Sequence, residues 1–440
     1  MSRKFVFLFF LVIVLFPAFS KAQGLGNSPY SQIGIGDLVA PVSVQNLGAG
    51  GISVSQYNRD YVQLSNPATS VNKKGLYNDS LIKFEASGTA QYKVLSVGNK
   101  LETYTAANFR YFALTVPIGK VWNTTVSMQP FSVKDHSYST TTPIQGDPAQ
   151  GNMQYTYEGK GGLYQIALNN GWGVSKTLSV GLGLNYLFGP ATTTNTSVME
   201  SNSSGIQYGT RTRINHKGLG IKPAAHYRKE FYVWKDSVLV PSGIFWNAGA
   251  TVQVFAPMQL TSNQYKISRN SAGTISEDSL IVSSTQTTNL PAQFTFGMSI
   301  DKPNRWMIGV EGGFSNWSGY EYGNFADDTY RLAWNLGIGG EFRPVTRKQW
   351  KSPTYRAGFN FAILPYVVDG NQLNDVSGSL GLTLPVGVRG ASGATFPKIN
   401  LAVVVGQRGT ISTENTQELY VRMHVSILIT DKWFIKRRIQ

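Results

Sequence analysis

The chain has 440 residues, no cysteine and a formal net charge of +15. The missing cysteines exclude disulfides, thiolate metal sites, a cysteine nucleophile and a lipid anchor, and they suit export into an oxidising compartment. The basic residues are scattered among Gly, Ser, Asn and Thr rather than gathered on one face, which points away from nucleic acid and towards anionic lipid headgroups.

The chain opens with Arg3 and Lys4, an apolar run from Phe5 to Phe16, and Ser20-Lys21-Ala22. That is the layout of a signal peptide over residues 1–22, cut before Gln23. Its apolar core is too short to cross a membrane as a helix, and no later run approaches the roughly 20 residues a helical span needs. Residues 23–80 are rich in Gly, Ser and Asn, with short apolar clusters at Ile33-Gly34-Ile35 and Leu38-Val39. This stretch is too apolar for a linker and alternates too weakly for a wall strand. We expect a plug, or hatch, folded into a barrel. Asn66-Pro67-Ala68 stands near its end. Pro67 removes a backbone donor and holds Asn66 extended, while Asn66 can bond nearby backbone. The triplet suits the junction of plug and wall; an ordinary turn before the first strand is the alternative.

From residue 81 the pattern changes to period two. In 178–188, Val180, Leu182, Leu184, Tyr186 and Phe188 share one face, and Ser179, Gly181, Gly183 and Asn185 lie on the other. In 330–343, Leu332, Trp334, Leu336 and Ile338 oppose Arg331, Ala333, Asn335 and Gly337. In 355–366, Tyr355, Phe359, Phe361 and Ile363 oppose Arg356, Gly358 and Asn360. A helical period would scramble these faces, whereas a strand sorts them. Similar segments near 81–95, 105–118, 121–136, 155–174, 205–228, 244–258, 291–301, 305–316, 376–387, 397–408 and 417–430 predict about fourteen strands, with 262–288 a less regular extra. Most exceed the roughly 9–11 residues that cross a bilayer on a tilt. With 12% aromatic and only 14% charged residues, 81–440 reads as an all-β, antiparallel transmembrane barrel of the outer membrane. A soluble sandwich would carry charges on its polar face, and propeller-like repeats are missing. Stretches near 138–152, 196–206 and 262–288 are expected to be extracellular loops. Pro117-Ile118-Gly119-Lys120 and Asp301-Lys302-Pro303-Asn304 are expected to be short periplasmic turns.

Enzyme signatures are missing. No G-x-S-x-G elbow occurs, and His136, His216, His226 and His424 are far apart with no metal-ligand spacing. Gly48-Ala49-Gly50-Gly51 lacks the Lys-Ser/Thr of a phosphate loop. The sequence predicts no catalytic residue, metal or cofactor. Polar-face arginines Arg331, Arg343, Arg356 and Arg422 are candidate lumen contacts for a carboxylate, unless Glu311 and Glu341 balance them.

The order Asn46-Leu47-Gly48-Ala49-Gly50-Gly51, Ser65-Asn66-Pro67-Ala68, Gly159-Lys160-Gly161-Gly162-Leu163-Tyr164, Tyr186-Leu187-Phe188-Gly189, Leu290-Pro291 and Phe314-Ser315-Asn316-Trp317-Ser318 resembles the FadL-type long-chain fatty-acid transporters. The opening Ser28-Pro29-Tyr30-Ser31-Gln32-Ile33-Gly34-Ile35-Gly36-Asp37 looks like members from Bacteroidetes-type bacteria. The resemblance implies a fourteen-stranded barrel plugged by a hatch, with Asn-Pro-Ala where the two meet. It also implies passage of fatty acids or other hydrophobic small molecules by non-covalent binding and hatch movement. PorV-like relatives imply a different partner, secretion-system or surface-attached proteins. The chain ends Trp433-Phe434-Ile435-Lys436-Arg437-Arg438-Ile439-Gln440 and so departs from barrels that finish on an aromatic residue.

Overall fold

Lipid offers no hydrogen-bond partner, so strands that cross it must close on one another. The computed structural model describes residues 28–71, 81–97, 100–144, 151–199, 206–322, 329–346, 352–368, 370–386, 397–409 and 417–432; the expected signal peptide and the carboxy-terminal aromatics lie outside them. Seventeen strands run in chain order. These are β1 (Asp37–Leu38), β2 (Leu81–Val97), β3 (Lys100–Pro117), β4 (Trp122–Pro143), β5 (Asn152–Gly173), β6 (Leu178–Met199), β7 (Gln207–Lys235), β8 (Val238–Phe255) and β9 (Met258–Arg269). They continue as β10 (Ile275–Thr288), β11 (Gln293–Lys302), β12 (Trp306–Asn316), β13 (Leu332–Phe342), β14 (Thr354–Val368), β15 (Asn371–Pro385), β16 (Lys398–Arg408) and β17 (Gln417–Lys432). Without β1, β9 and β10, fourteen form a closed antiparallel ring. It closes where β17 pairs β2, from Lys432↔Leu81 to Gln417↔Ser96. We call the end holding Leu81 and Lys432 the near end.

The expected faces are present. Leu182, Leu184 and Leu336 point out and are about half exposed, whereas Asn185 is buried. Outward rings pair across strands at two levels: Trp122 on Trp172 and Tyr227 on Trp246 towards the near end, Phe294 on Phe314 and Trp334 on Phe361 towards the far end. Trp and Tyr at such levels suit the two membrane interfaces.

All three stretches expected as loops are strand in part, and 196–199 are the end of β6. Residues 138–143 continue β4, and 262–288 fall largely in the β9–β10 hairpin, which pairs with the far half of β7. Strands β4 to β6 have 22 residues each and β7 has 29, against 10 or 11 for β11 to β13. One side of the wall therefore rises well above its opposite side. Up there both faces meet water, so Thr140-Thr141-Thr142 shows no apolar alternation; polar β-branched residues hold the ladder. At the near end, β7 and β8 run past their neighbours as a two-stranded ribbon turning at Asp236-Ser237, both at positive φ. The ribbon exposes Phe231, Tyr232, Val233, Trp234, Val238 and Leu239.

Residues 28–71 are largely buried. They form two 3-10 turns (Pro29–Gln32 and Pro67–Thr69), β1, and the short helix α1 (Val44–Gly48). They pack on the inward face of the wall, where glycines leave room for their backbone. A Cβ on Gly339 would collide with the Ala49 carbonyl, one on Gly337 or Gly358 with the backbone of Gly50, and one on Gly171 or Gly181 with that of Pro67 or Ala68. The Gly-rich polar face is thus a surface for close backbone approach.

Leu336 and Asn335 are neighbours on opposite faces of β13. A basic side chain facing lipid near the midplane costs about 2–4 kcal/mol, and one facing the lumen far less. We expect Leu336→Arg to lower the folded yield in bilayers severalfold relative to Asn335→Arg, read by heat-modifiable gel mobility. Equal yields would mean that the faces are assigned wrongly.

Candidate functional site: the lumen around the amino-terminal segment

Wall side chains hold residues 28–71 at several points. Glu311 on β12 accepts hydrogen bonds from Ser53 N (2.6 Å), Val54 N (2.7 Å) and Ser53 Oγ (2.8 Å). Lys222 Nζ donates to Leu64 O at 3.0 Å. Glu85 on β2 accepts from Gln45 Nε2 (3.0 Å), Tyr111 Oη (2.9 Å), Ser426 Oγ (2.5 Å) and Asn400 Nδ2 (3.2 Å), so one carboxylate joins α1 to β2, β3, β16 and β17. β1 pairs with β4 through Asp37↔Val133 and Leu38↔Ser132.

Charges inside the ring are mostly matched. Arg228 binds Asp301 through both terminal nitrogens, at 2.6 and 3.0 Å. Arg408 reaches Asp375 (3.0 Å) and Asp37 (2.9 Å), and Lys93 lies 3.5 Å from Glu418. Lys398 lies 2.9 Å from Asp60 and holds its carboxyl well below the usual carboxylate range. Removing one member of such a buried pair is strongly destabilising, because it strands the other charge.

Towards the far end the lumen is roofed. Trp317, Tyr320, Tyr322, Tyr330 and Tyr366 pack with Tyr30, Ile33 and Ile35 in one apolar cluster. Tyr366 Oη donates to Gly36 O at 2.6 Å, and Tyr322 Oη meets His216 Nε2 at 2.9 Å. Burial pushes the Tyr322 phenol up, so it stays neutral. Between segment and wall lies a cavity of about 490 Å³, touched by Leu38, Val42, Phe131, Arg110, Arg422 and His424.

The residues singled out from sequence fall in different places. Asn66 is buried; its Nδ2 donates to Val54 O (2.7 Å) and to Ala225 O on β7 (3.1 Å), and its Oδ1 accepts from Ala68 N (2.9 Å). Pro67 and Ala68 begin the 3-10 turn that abuts Gly171 and Gly181. Arg356 is buried and engaged by Glu341 (3.3 Å), Thr383 (2.7 Å) and Tyr61 (2.5 Å). Arg422 lies at the cavity, its guanidinium 3.8 Å from the Tyr420 ring. Arg331 and Arg343 do not join them. The ladder stops at Leu332, so Arg331 is exposed above it, and Arg343 sits in the near-end turn beside Asn304. Glu311 does not balance an arginine; it caps backbone. Glu85, Lys93, Arg228, Asp301, Asp375, Arg408 and Glu418 escaped notice in the sequence. Their one legible signal is a charge within a strand on the small-residue face.

A fourteen-stranded ring with its amino-terminal segment packed inside is a FadL-type outer-membrane fold. Among solved structures the chain is similar to the CymD monoaromatic hydrocarbon channel, with TM-score 0.54 and 12% identity over 90% of this chain and 98% of that one. It is likewise similar to the P. putida toluene transporter TodX (0.53, 11%, 89% and 98%) and to a Pseudomonas aeruginosa FadL homologue (0.54, 11%, 90% and 99%). At these identities the likeness is one of fold. The family model described as BamG matches residues 1–440, and the chain belongs to the BamG family. No curated protein sequence matches it.

Glu311→Ala removes the acceptor for three buried donors, each costing about 1–3 kcal/mol when stranded. We expect amide exchange at Ser53 and Val54 to quicken by roughly an order of magnitude or more, with barrel gel mobility unchanged. Unaltered exchange would show that Glu311 does not hold the segment.

Proposed function

We propose that this protein passes hydrophobic small molecules, fatty acids and aromatic hydrocarbons among them, through the outer membrane, and that residues 28–71 are its hatch. Residues 1–22 direct its export. One observation carries the reading: the described ties between segment and wall are hydrogen bonds, ion pairs, apolar contacts and backbone laid on glycine, and with no cysteine in the chain no disulfide fixes the segment to the wall. Such a segment can shift and reseat without a bond being made or broken. Ligand partitions from the outer leaflet towards the cavity beside Leu38, Val42 and Phe131, and movement of the hatch releases it inward. Asn66 is the joint, because it ties the segment both to itself at Val54 and to the wall at Ala225. The likeness in fold to the toluene and monoaromatic hydrocarbon channels supports this choice of cargo.

A second reading, a PorV-like barrel serving type IX secretion or surface protein attachment, draws on the raised wall of β4 to β7 with the β9–β10 hairpin, a large ordered surface at the far end.

Cells carrying Asn66→Ala or Pro67→Ala are expected to keep heat-modifiable barrel mobility and to change their uptake of a panel of fatty acids and aromatic hydrocarbons. Uptake that is the same in these cells, in wild type and in a strain lacking the barrel would move the conclusion to the protein-interaction reading.

A further inference from the structure

We propose that the lumen binds a small hydrophilic oxyanion, of the phosphate or carboxylate class, in a niche framed by Arg110, Arg422 and His424. The register builds the niche. Arg422 and His424, two apart on β17, stand opposite Gln91 and Thr89 of β2, and Thr89 stands opposite Asn108 of β3. Arg110 is the extra residue where the β2–β3 register shifts, between Phe109↔Gly88 and Tyr111↔Ser87. Arg110, Arg422, His424, Thr89, Gln91 and Asn108 all line the 490 Å³ cavity.

The charges there do not match. Lys93 has Glu418, and Arg408 has Asp375 and Asp37. Among the described residues Arg110 and Arg422 form no ion pair. Arg110 donates only to the carbonyls of Ala40 (3.3 Å) and Val42 (3.4 Å), and Arg422 lies over Tyr420. Asp375 lies within electrostatic reach of Arg422, but its carboxylate is already taken by Arg408 Nε and Tyr420 Oη. The two guanidiniums carry like charges and line the same cavity as the His424 imidazole.

Among the described residues, three polar atoms in the niche are also buried without a hydrogen-bond partner: Arg110 Nε, His424 Nδ1 and Thr89 Oγ1. His424 is only 3% exposed. Buried polar atoms are rarely left unpaired, and two forked cations with an imidazole and a hydroxyl offer what an oxyanion needs. The flanking Gln91 and Asn108 are polar, so the niche favours a ligand without an acyl tail. Because Arg110 already holds Ala40 and Val42, a bound oxyanion would brace the amino-terminal segment against β3 and β17. This inference stands apart from passage of hydrophobic compounds: the barrel can bind an oxyanion whether or not it conducts them.

The test uses the purified full-length barrel in detergent, at ionic strength held constant with chloride. Inorganic phosphate, acetate and laurate are titrated separately, followed by calorimetry and by the thermal midpoint. We expect saturable binding of phosphate or acetate at one site per barrel with a raised midpoint. Arg110→Gln and Arg422→Gln should each weaken it by at least about tenfold, while the exposed Arg331→Gln binds as wild type. Arg422→Lys, which keeps the charge and loses the fork, serves if the glutamine variants do not fold, and should fall between. Phosphate against acetate tells which oxyanion the site prefers. No saturable binding by the wild type, or equal binding by all variants, would overturn the proposal. Laurate binding much more tightly than acetate would also overturn it, because the site would then be one for amphiphiles.

Discussion

The requirement that no backbone donor or acceptor meet lipid unpaired governs the whole molecule. It forces the last wall strand to find the first, so that Gln417–Lys432 and Leu81–Ser96 pair although the chain between them runs through twelve other wall strands. Once the ring is closed, every wall residue within the bilayer has one of two environments. The outward set is apolar because its solvent is hydrocarbon. The inward set is small or polar because it must accept another piece of the same chain.

That inner piece explains features a plain pore would not need. Inward glycines in β5, β6, β13 and β14 let backbone lie on backbone, at a separation no side chain would allow. With so little side-chain contact there, cohesion rests on hydrogen bonds and charges, and the lumen is rich in both. Buried polar groups of this kind hold geometry more than they add stability: each is costly when stranded and near neutral when paired. A lumen built so is specific about where the segment sits. Two apolar clusters are the exceptions: Val44, Val62 and Leu64 against Tyr111, Ala113, Ala402 and Leu428, and the aromatic roof at the far end, in which Tyr366 and Tyr322 keep their hydroxyls satisfied through Gly36 and His216.

The wall is also lopsided. Strands β4 to β7 rise beyond the height of β11 to β13, and the β7–β8 ribbon extends the same side past the near end. Outside the bilayer the pairing of strands no longer needs alternation, since water lies on both faces. Threonines and serines above and apolar residues in the ribbon below therefore obey different rules within the same continuous strands.

Sequence alone determined the class of fold, because the bilayer imposes a period of two on every spanning strand and that period is written locally, residue by residue. It determined the faces of Leu182, Asn185 and Leu336 for the same reason. It did not reveal the strand at 138–143, and it left 262–288 between an extra strand and a loop, because two wet faces erase the pattern. The partners of the lumen charges were beyond it altogether. Whether Arg356 meets Glu341, whether Glu311 meets an arginine or the amides of Ser53 and Val54, and whether Arg422 is left beside Arg110 depend on register between strands far apart in the chain and on where residues 28–71 come to rest. Arg331 and Arg343 show the limit most simply: each has the right parity for the inward face, and each stands just past the point where the ladder ends. Parity is a local property of the chain, but height along a barrel and the identity of the opposite wall exist only once the ring has closed.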